Sequence, residues 1–251
     1  MRAELSHVRY TDGSDGSDGS DGCSGARVSL VPLTRGGPVG TMSFEELFAR
    51  ERARYEDGMA RLDPEQLVRL GNAAYGAGLS LLMLGRPGEA GEWLERAALR
   101  WRESWEHATP TSWGRPIGTI KAALIAGRAD EAAVYSRWAL ELGSEEAASP
   151  IGRYAAALSL LVLGRDPEAR QLASALRERD DFPPAVADAL ATCAAHDVIG
   201  YIEAVEAVLA SFETREEFLE DVPVADTVIV LQALAARRSF AAELSSPMLP
   251  P

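Results

Sequence analysis

A chain of 251 residues, 47% of them hydrophobic, is long enough to bury one substantial core. Its net charge of −13 repels nucleic-acid phosphates and anionic lipid, so neither is expected as a partner. No apolar run approaches the roughly 18 residues of a membrane span, and the N-terminus lacks the apolar core of a signal peptide, so a cytoplasmic protein is expected. Cys23 and Cys193 make no disulfide framework, which agrees with that compartment. Of the 25 basic residues only Lys121 is a lysine, a bias that reads as codon usage rather than chemistry.

The chain opens on a tail. Its "TDGSDGSDGSDGCSG" stretch (residues 11–25) can bury nothing and cannot offset its ordering entropy. Residues 1–41 are predicted to be a disordered low-complexity tail, and 42–251 a single helical domain. Asp12, Asp15, Asp18 and Asp21 recur at every third position. An EF-hand loop needs aspartates two apart and a distant glutamate, so no calcium site is expected. "VSLVPL" is a short extended or irregular piece, and "RGGPVG" breaks the chain again. Met42, just before the first convincing helix, reads as a start codon. Ser43 and Glu46 form a capping box there, with Phe44, Leu47 and Phe48 as the apolar face.

From Ser43 on, the apolar periodicity is helical almost throughout. Asp63-Pro64-Glu65-Gln66 and Ser149-Pro150 are further start signals. One turn is written three times: "GRPGEA" from Gly85, "GRADEA" from Gly127 and "GRDPEA" from Gly164. Each follows an apolar helix that its glycine closes in a left-handed conformation. Pro87 and Pro167 suit the next first turn, with Asp166 as a cap before Pro167. Glu89, Glu131 and Glu168 face the positive end of the helix dipole. Ala90, Ala132 and Ala169 are small enough to let two helices meet. Ala97, Ala139 and Leu176 follow seven positions later, and Gly78, Ile120 and Ala157 stand twelve before.

The "LG-R-x-x-E-A" turn and the alanines of the second helix resemble the tetratricopeptide repeat, a helix-turn-helix unit of about 34 residues. The resemblance implies an all-α fold of stacked antiparallel pairs, a short α-solenoid. Early aromatic residues of the first helix are mostly missing, and Ile120 stands where a small residue is expected. The predicted units are 67–105, 115–145, 150–182 and a degenerate 186–212, with capping helices over 213–240. Such pairs must stack to bury their apolar stripes, so 43–61 and 224–238 are expected to close the two ends.

No chemistry is forced by the residues. His7, His107 and His196 are too scattered for zinc, and Cys193 with His196 supplies two ligands without a second pair. Lys121 is followed by Ala122, which rules out a phosphate-binding loop, and no dinucleotide fingerprint or nucleophile elbow occurs. No cofactor, metal or catalytic residue is predicted. The tryptophans are the unusual feature: Trp93, Trp101 and Trp105 share one helix face, and "WEHATPTSWGRP" (Trp105 to Pro116) carries two tryptophans, a histidine and an arginine. Packing against neighbouring helices explains such a face. The alternative is an anchor patch for a protein partner with a basic surface, since tryptophan and arginine dominate interface hot spots. Trp105, His107, Trp113 and Arg115 are its candidate residues.

The ending "LEDVPVADTVIVLQALAARRSFAAELSSPMLP" looks like the tail of an all-helical bacterial toxin-immunity family, which implies a dedicated toxin binder. The expected function is a non-catalytic, tetratricopeptide-like protein-binding module. The alternatives are an immunity protein and an enzyme with an unrecognised site.

Overall fold

The computed structural model of the chain describes residues 42–61 and 66–251. The predicted low-complexity tail and the Asp63-Pro64 start signal lie outside them. The described chain is all-α, with no strand: α1 (Phe44–Met59), α2 (Leu67–Met83), α3 (Pro87–Ser104), α4 (Gly114–Ile125), α5 (Ala129–Glu141), α6 (Pro150–Val162), α7 (Asp166–Arg177), α8 (Pro184–Ala195), α9 (Val198–Glu213) and α10 (Asp226–Ala236). Consecutive helices from α1 to α9 pack on one another, so α2–α3, α4–α5, α6–α7 and α8–α9 form four stacked pairs.

Local chemistry explains the helix starts. The Ser43 hydroxyl accepts from Glu46 N–H, and Glu46 returns the bond to Ser43 N–H at 2.8 Å, as a capping box requires. Ser149 caps α6 by accepting from Gly152 N–H at 3.2 Å. The repeated turn is one geometry. Gly85, Gly127 and Gly164 have φ of 68°, 72° and 72°. Two bonds close each helix behind them: Arg86, Arg128 and Arg165 N–H donate to Leu81, Ala123 and Leu160 O, each at 2.9 Å. Gly85, Gly127 and Gly164 N–H donate to Leu82, Leu124 and Leu161 O.

The arginine in each turn has its own role. Arg86 lies 2.6 Å from Glu89, and Arg128 lies 3.1 Å from Glu131. Arg165 Nε donates to Glu168 at 2.8 Å. Each turn is thus tied across its own first helical residues. Exposed pairs of this kind contribute little stability and serve mainly to hold the turn's shape. The predicted cap at Asp166 is corrected: Arg165 precedes the helix, and Asp166 is α7's first residue, aimed elsewhere. The fourth turn keeps the geometry without glycine, for His196 has φ of 55° and Asp197 N–H donates to Thr192 O at 3.0 Å.

Below the turns, Ala90, Ala132, Ala169, Ala97, Ala139 and Leu176 are fully buried, as are Ile120 and Ala157. Trp101 fills the contact between the first two pairs. A Cβ at Gly71 of α2 or Gly118 of α4 would lie 2.6 Å and 2.8 Å from its ring. Its Nε1–H donates to Asn72 Oδ1 at 3.0 Å.

The expectation of a terminal cap over 224–238 is also corrected. α10 does not close an end. It packs against α4, α8 and α9, crossing from the first pairs to the last. Its own Val228, Val230, Leu231, Leu234 and Ala235 are buried in these contacts. The physical reason is its composition: apart from Asp226, Thr227 and Gln232 its residues are apolar, and such a helix is stable only when most of its surface is covered. Among the described residues no helix is long and apolar enough to cross a membrane.

Candidate functional site

The loop after α3 does not project as a free arm. A single turn of 3-10 helix at Trp105–His107 leads into it. Trp113 then turns inward to 6% exposure. Gly152 of α6 makes that possible, because a Cβ there would lie 2.8 Å from Trp113 Nε1. Trp105 is half-buried, its ring 5.9 Å from both Trp113 and Trp138. Arg102 covers the outer face of Trp138 at 4.5 Å. Of the candidate residues, Trp105 and Trp113 come together as the packing reading expects, and Trp113 is not available as an exposed anchor. His107 is exposed and Arg115 is half-buried on the first turn of α4, where its carbonyl accepts from Thr119. The cause is apolar area: two indoles gain more against α5 and α6 than in water.

Polar groups converge elsewhere, on the segment that follows α9. Its entry is held by α1. Glu51, with 0% exposure, accepts from Arg50 Nε at 2.7 Å and from Arg54 at 2.8 Å. Arg54 also pairs with Glu220, and Arg50 donates to the Glu220 carbonyl. Burial pushes the Glu51 carboxyl above its ordinary range despite both arginines.

The start of α10 is held by two pairs. Lys121 of α4 lies 2.6 Å from Asp226 Oδ2, and Tyr75 of α2 donates to the same oxygen at 2.8 Å. Burial alone would raise Asp226. Lys121 and the bonds from Lys121, Tyr75 and Thr227 outweigh it and hold the carboxyl below its ordinary range. The chain's single lysine therefore has a structural position that composition does not reveal.

The end of α10 is held by the third and fourth pairs. Arg238 donates to Leu161 O at 2.8 Å and pairs with Asp166, while His196 Nε2 lies 2.9 Å from Asp166 Oδ2. Burial raises Asp166, and its bonds to Arg238 and His196 reverse that and hold it low. Cys193 is fully buried beside this cluster, and burial pushes its thiol up to about 11. A protonated, enclosed thiol is a packing group rather than a nucleophile. Beyond α10, Tyr201 and Gln232 hold the extended residues 240–246.

Sequence reasoning missed Tyr75, Lys121, Tyr201, Gln232 and Arg238. One local signal was present, since Asp226, Thr227 and Gln232 are the only polar residues in α10. Isolated polar groups on a buried helix need partners.

Two open clefts of about 290 and 340 Å³ lie on the surface, one lined by Phe48, Trp93 and paired charges, the other by Arg153, Gln171 and Leu172. Among the described residues no three His, Cys, Asp or Glu side chains gather as a metal site would. Comparison with known proteins gives no match: no family model fits the chain, and neither a curated protein nor a solved structure is significantly similar to it. The tetratricopeptide-like and toxin-immunity resemblances thus rest on the residues alone.

Proposed function

We propose that the chain is a non-catalytic protein-binding module built from tetratricopeptide-like helix pairs. The observation that carries this is the convergence on α10 and its flanks. Side chains from all four pairs (Tyr75, Lys121, Asp166 and Tyr201) hold one polypeptide segment, and Gln232 bonds to main chain. Surfaces that hold a polypeptide through its backbone and spaced polar anchors suit proteins as ligands. The strongly acidic chain favours a partner with a basic rim. A cytoplasmic setting fits the buried free thiol of Cys193.

The test is reconstitution. A partner recovered from the native host should form a saturable complex of fixed stoichiometry with the purified chain. Its affinity should fall as salt rises, because the charges involved are exposed. A purified chain that turns over a small molecule, or that forms no saturable complex with any recovered protein, overturns this reading.

A further inference from the structure

The segment after α10 lies on the protein as no helix does. Phe240, Ala242, Leu244 and Ser246 are half-buried, while Ala241, Glu243 and Ser245 are exposed. That two-residue period is how an extended chain lays one face on a surface. Phe240 meets Tyr201 edge-on at 5.4 Å and His196 at 5.9 Å. Two positions on, Gln232 grips the backbone of Ala242. Its Oε1 accepts from Ala242 N–H at 3.1 Å, and its Nε2 donates to Ala242 O at 2.5 Å. Tyr201 donates to the same Oε1 at 2.9 Å, which fixes the amide's orientation. Ser246 donates to Glu213 Oε1 at 2.7 Å at the far end of α9.

These contacts read a main chain and a face, with little demand on side-chain identity. They are also shallow. No residue from Phe240 to Pro251 is fully buried, whereas α10 beside them buries Val228, Val230, Leu231, Leu234 and Ala235. Between Ala241 and Ser245 two bonds to Gln232 hold the main chain, and beyond them Met248 O accepts from Ala225 N–H at 3.0 Å. Segments with few buried contacts and a solvated backbone are the first to open.

The geometry points to the channel between α9 and α10 as a binding site for an extended peptide segment of a partner protein, with residues 240–251 as its resident occupant. The segment it takes has an apolar residue in place of Phe240, a small one for Ala242, an apolar one for Leu244 and a hydroxyl for Ser246. The residues between them are free to vary. The face made by α4 and α8 is closed to such a ligand because α10 covers it. The proposal rests on the protein-binding reading and names its site. A tethered occupant competes at an effective concentration on the order of millimolar. The apparent affinity for a partner segment is therefore reduced by the fraction of time the strap is open.

The probe is a fluorescent peptide of residues 239–251, titrated by anisotropy onto the full chain and onto its Phe240→Ala/Leu244→Ala variant. The variant weakens the strap and leaves the channel walls intact. It should bind the peptide about tenfold or more tighter than the parent does. N-methylation of the peptide at the Ala242 nitrogen should abolish that gain, and at the Glu243 nitrogen should not. A variant with unchanged circular dichroism that binds no peptide overturns the proposal, as does equal loss from both methylations. Hydrogen exchange on the unaltered chain is an independent test. The Ala242 amide should exchange well before that of Leu231; equal protection would make the strap part of the global core. Light scattering that shows concentration-dependent dimers assigns the channel to a second copy, against the proposal. A chain that binds its host partner yet fails with the peptide loses this site and keeps the broader reading.

Discussion

Ala90, Ala132 and Ala169 sit where the two helices of a pair touch, and none has any exposure. A leucine at any of them must displace a neighbour, which costs about 1–3 kcal/mol in a close-packed interior. The loss should appear as a lower urea midpoint for each variant; three unchanged midpoints would mean that the pairs do not meet there. The equivalent position of the fourth pair is Tyr201, counted from His196 as Ala90 is from Gly85. There the larger side chain reaches Gln232 instead. Backbone conformation gives a second prediction at this scale. Nothing lies within 4 Å of a Cβ added at Gly127 or Gly164, so alanine there meets only the left-handed φ. Each should cost about 1–2 kcal/mol. Gly88 is equally open but has no positive φ, so Gly88→Ala should be neutral or slightly stabilising. Equal effects at all three sites would show that the turn glycines are not held left-handed.

At the scale of elements, the readable features were those made by residues close in sequence. The capping box at Ser43, the glycine-closed helices and the proline at the starts of α3, α6 and α7 each involve atoms within a few positions. The pair boundaries followed from these. What stayed hidden depends on distant partners. Lys121 and Asp226 form one pair across two helix pairs of intervening chain, and no local pattern marks it. The tryptophan loop failed as an exposed patch for the same reason, since its inward turn depends on Gly152, in a different pair. That dependence is testable. A Cβ at Gly152 would lie 2.3 Å from Ala147 Cβ and 2.8 Å from Trp113 Nε1. Gly152→Ala should therefore cost about 1–3 kcal/mol and loosen the indole, seen as a red shift of tryptophan emission. Unchanged emission and stability would show that the loop packs by other contacts.

For the whole molecule, α10 changes what kind of object the array is. Stacked pairs alone couple only to their neighbours, so their ends fray independently. A helix anchored at Tyr75, Lys121 and Asp166 links pairs that do not touch in sequence order, and should make unfolding more cooperative. Removing an anchor measures this. Lys121→Met leaves Asp226 facing an apolar neighbour. Lys121 and Asp226 side chains are 13% and 17% exposed. The loss should therefore be about 1–3 kcal/mol, below that of a fully buried pair. Acid should act on the same anchors. Asp166 and Asp226 are both held below the ordinary 3.8, so folding binds their charged forms better than the unfolded chain does. Their contribution is complete above 3.8 and is lost as pH falls through that value toward their folded ones. Glu51 works in the opposite sense. Its carboxyl is raised above 4.5, so it favours the folded state below 4.5 and that advantage fades as pH rises through its folded value. Urea midpoints measured from about pH 3 to about pH 7 should therefore drop steeply at the acid end. In Asp226→Asn the drop should be shallower, since one of the two depressed carboxylates that anchor α10 is gone, while the fading of the Glu51 contribution as pH rises past 4.5 stays as in the parent. An Asp226→Asn profile parallel to the parent's throughout the acid range would mean that Asp226 is not a charged anchor, and that α10 is held across the pairs by its apolar faces alone.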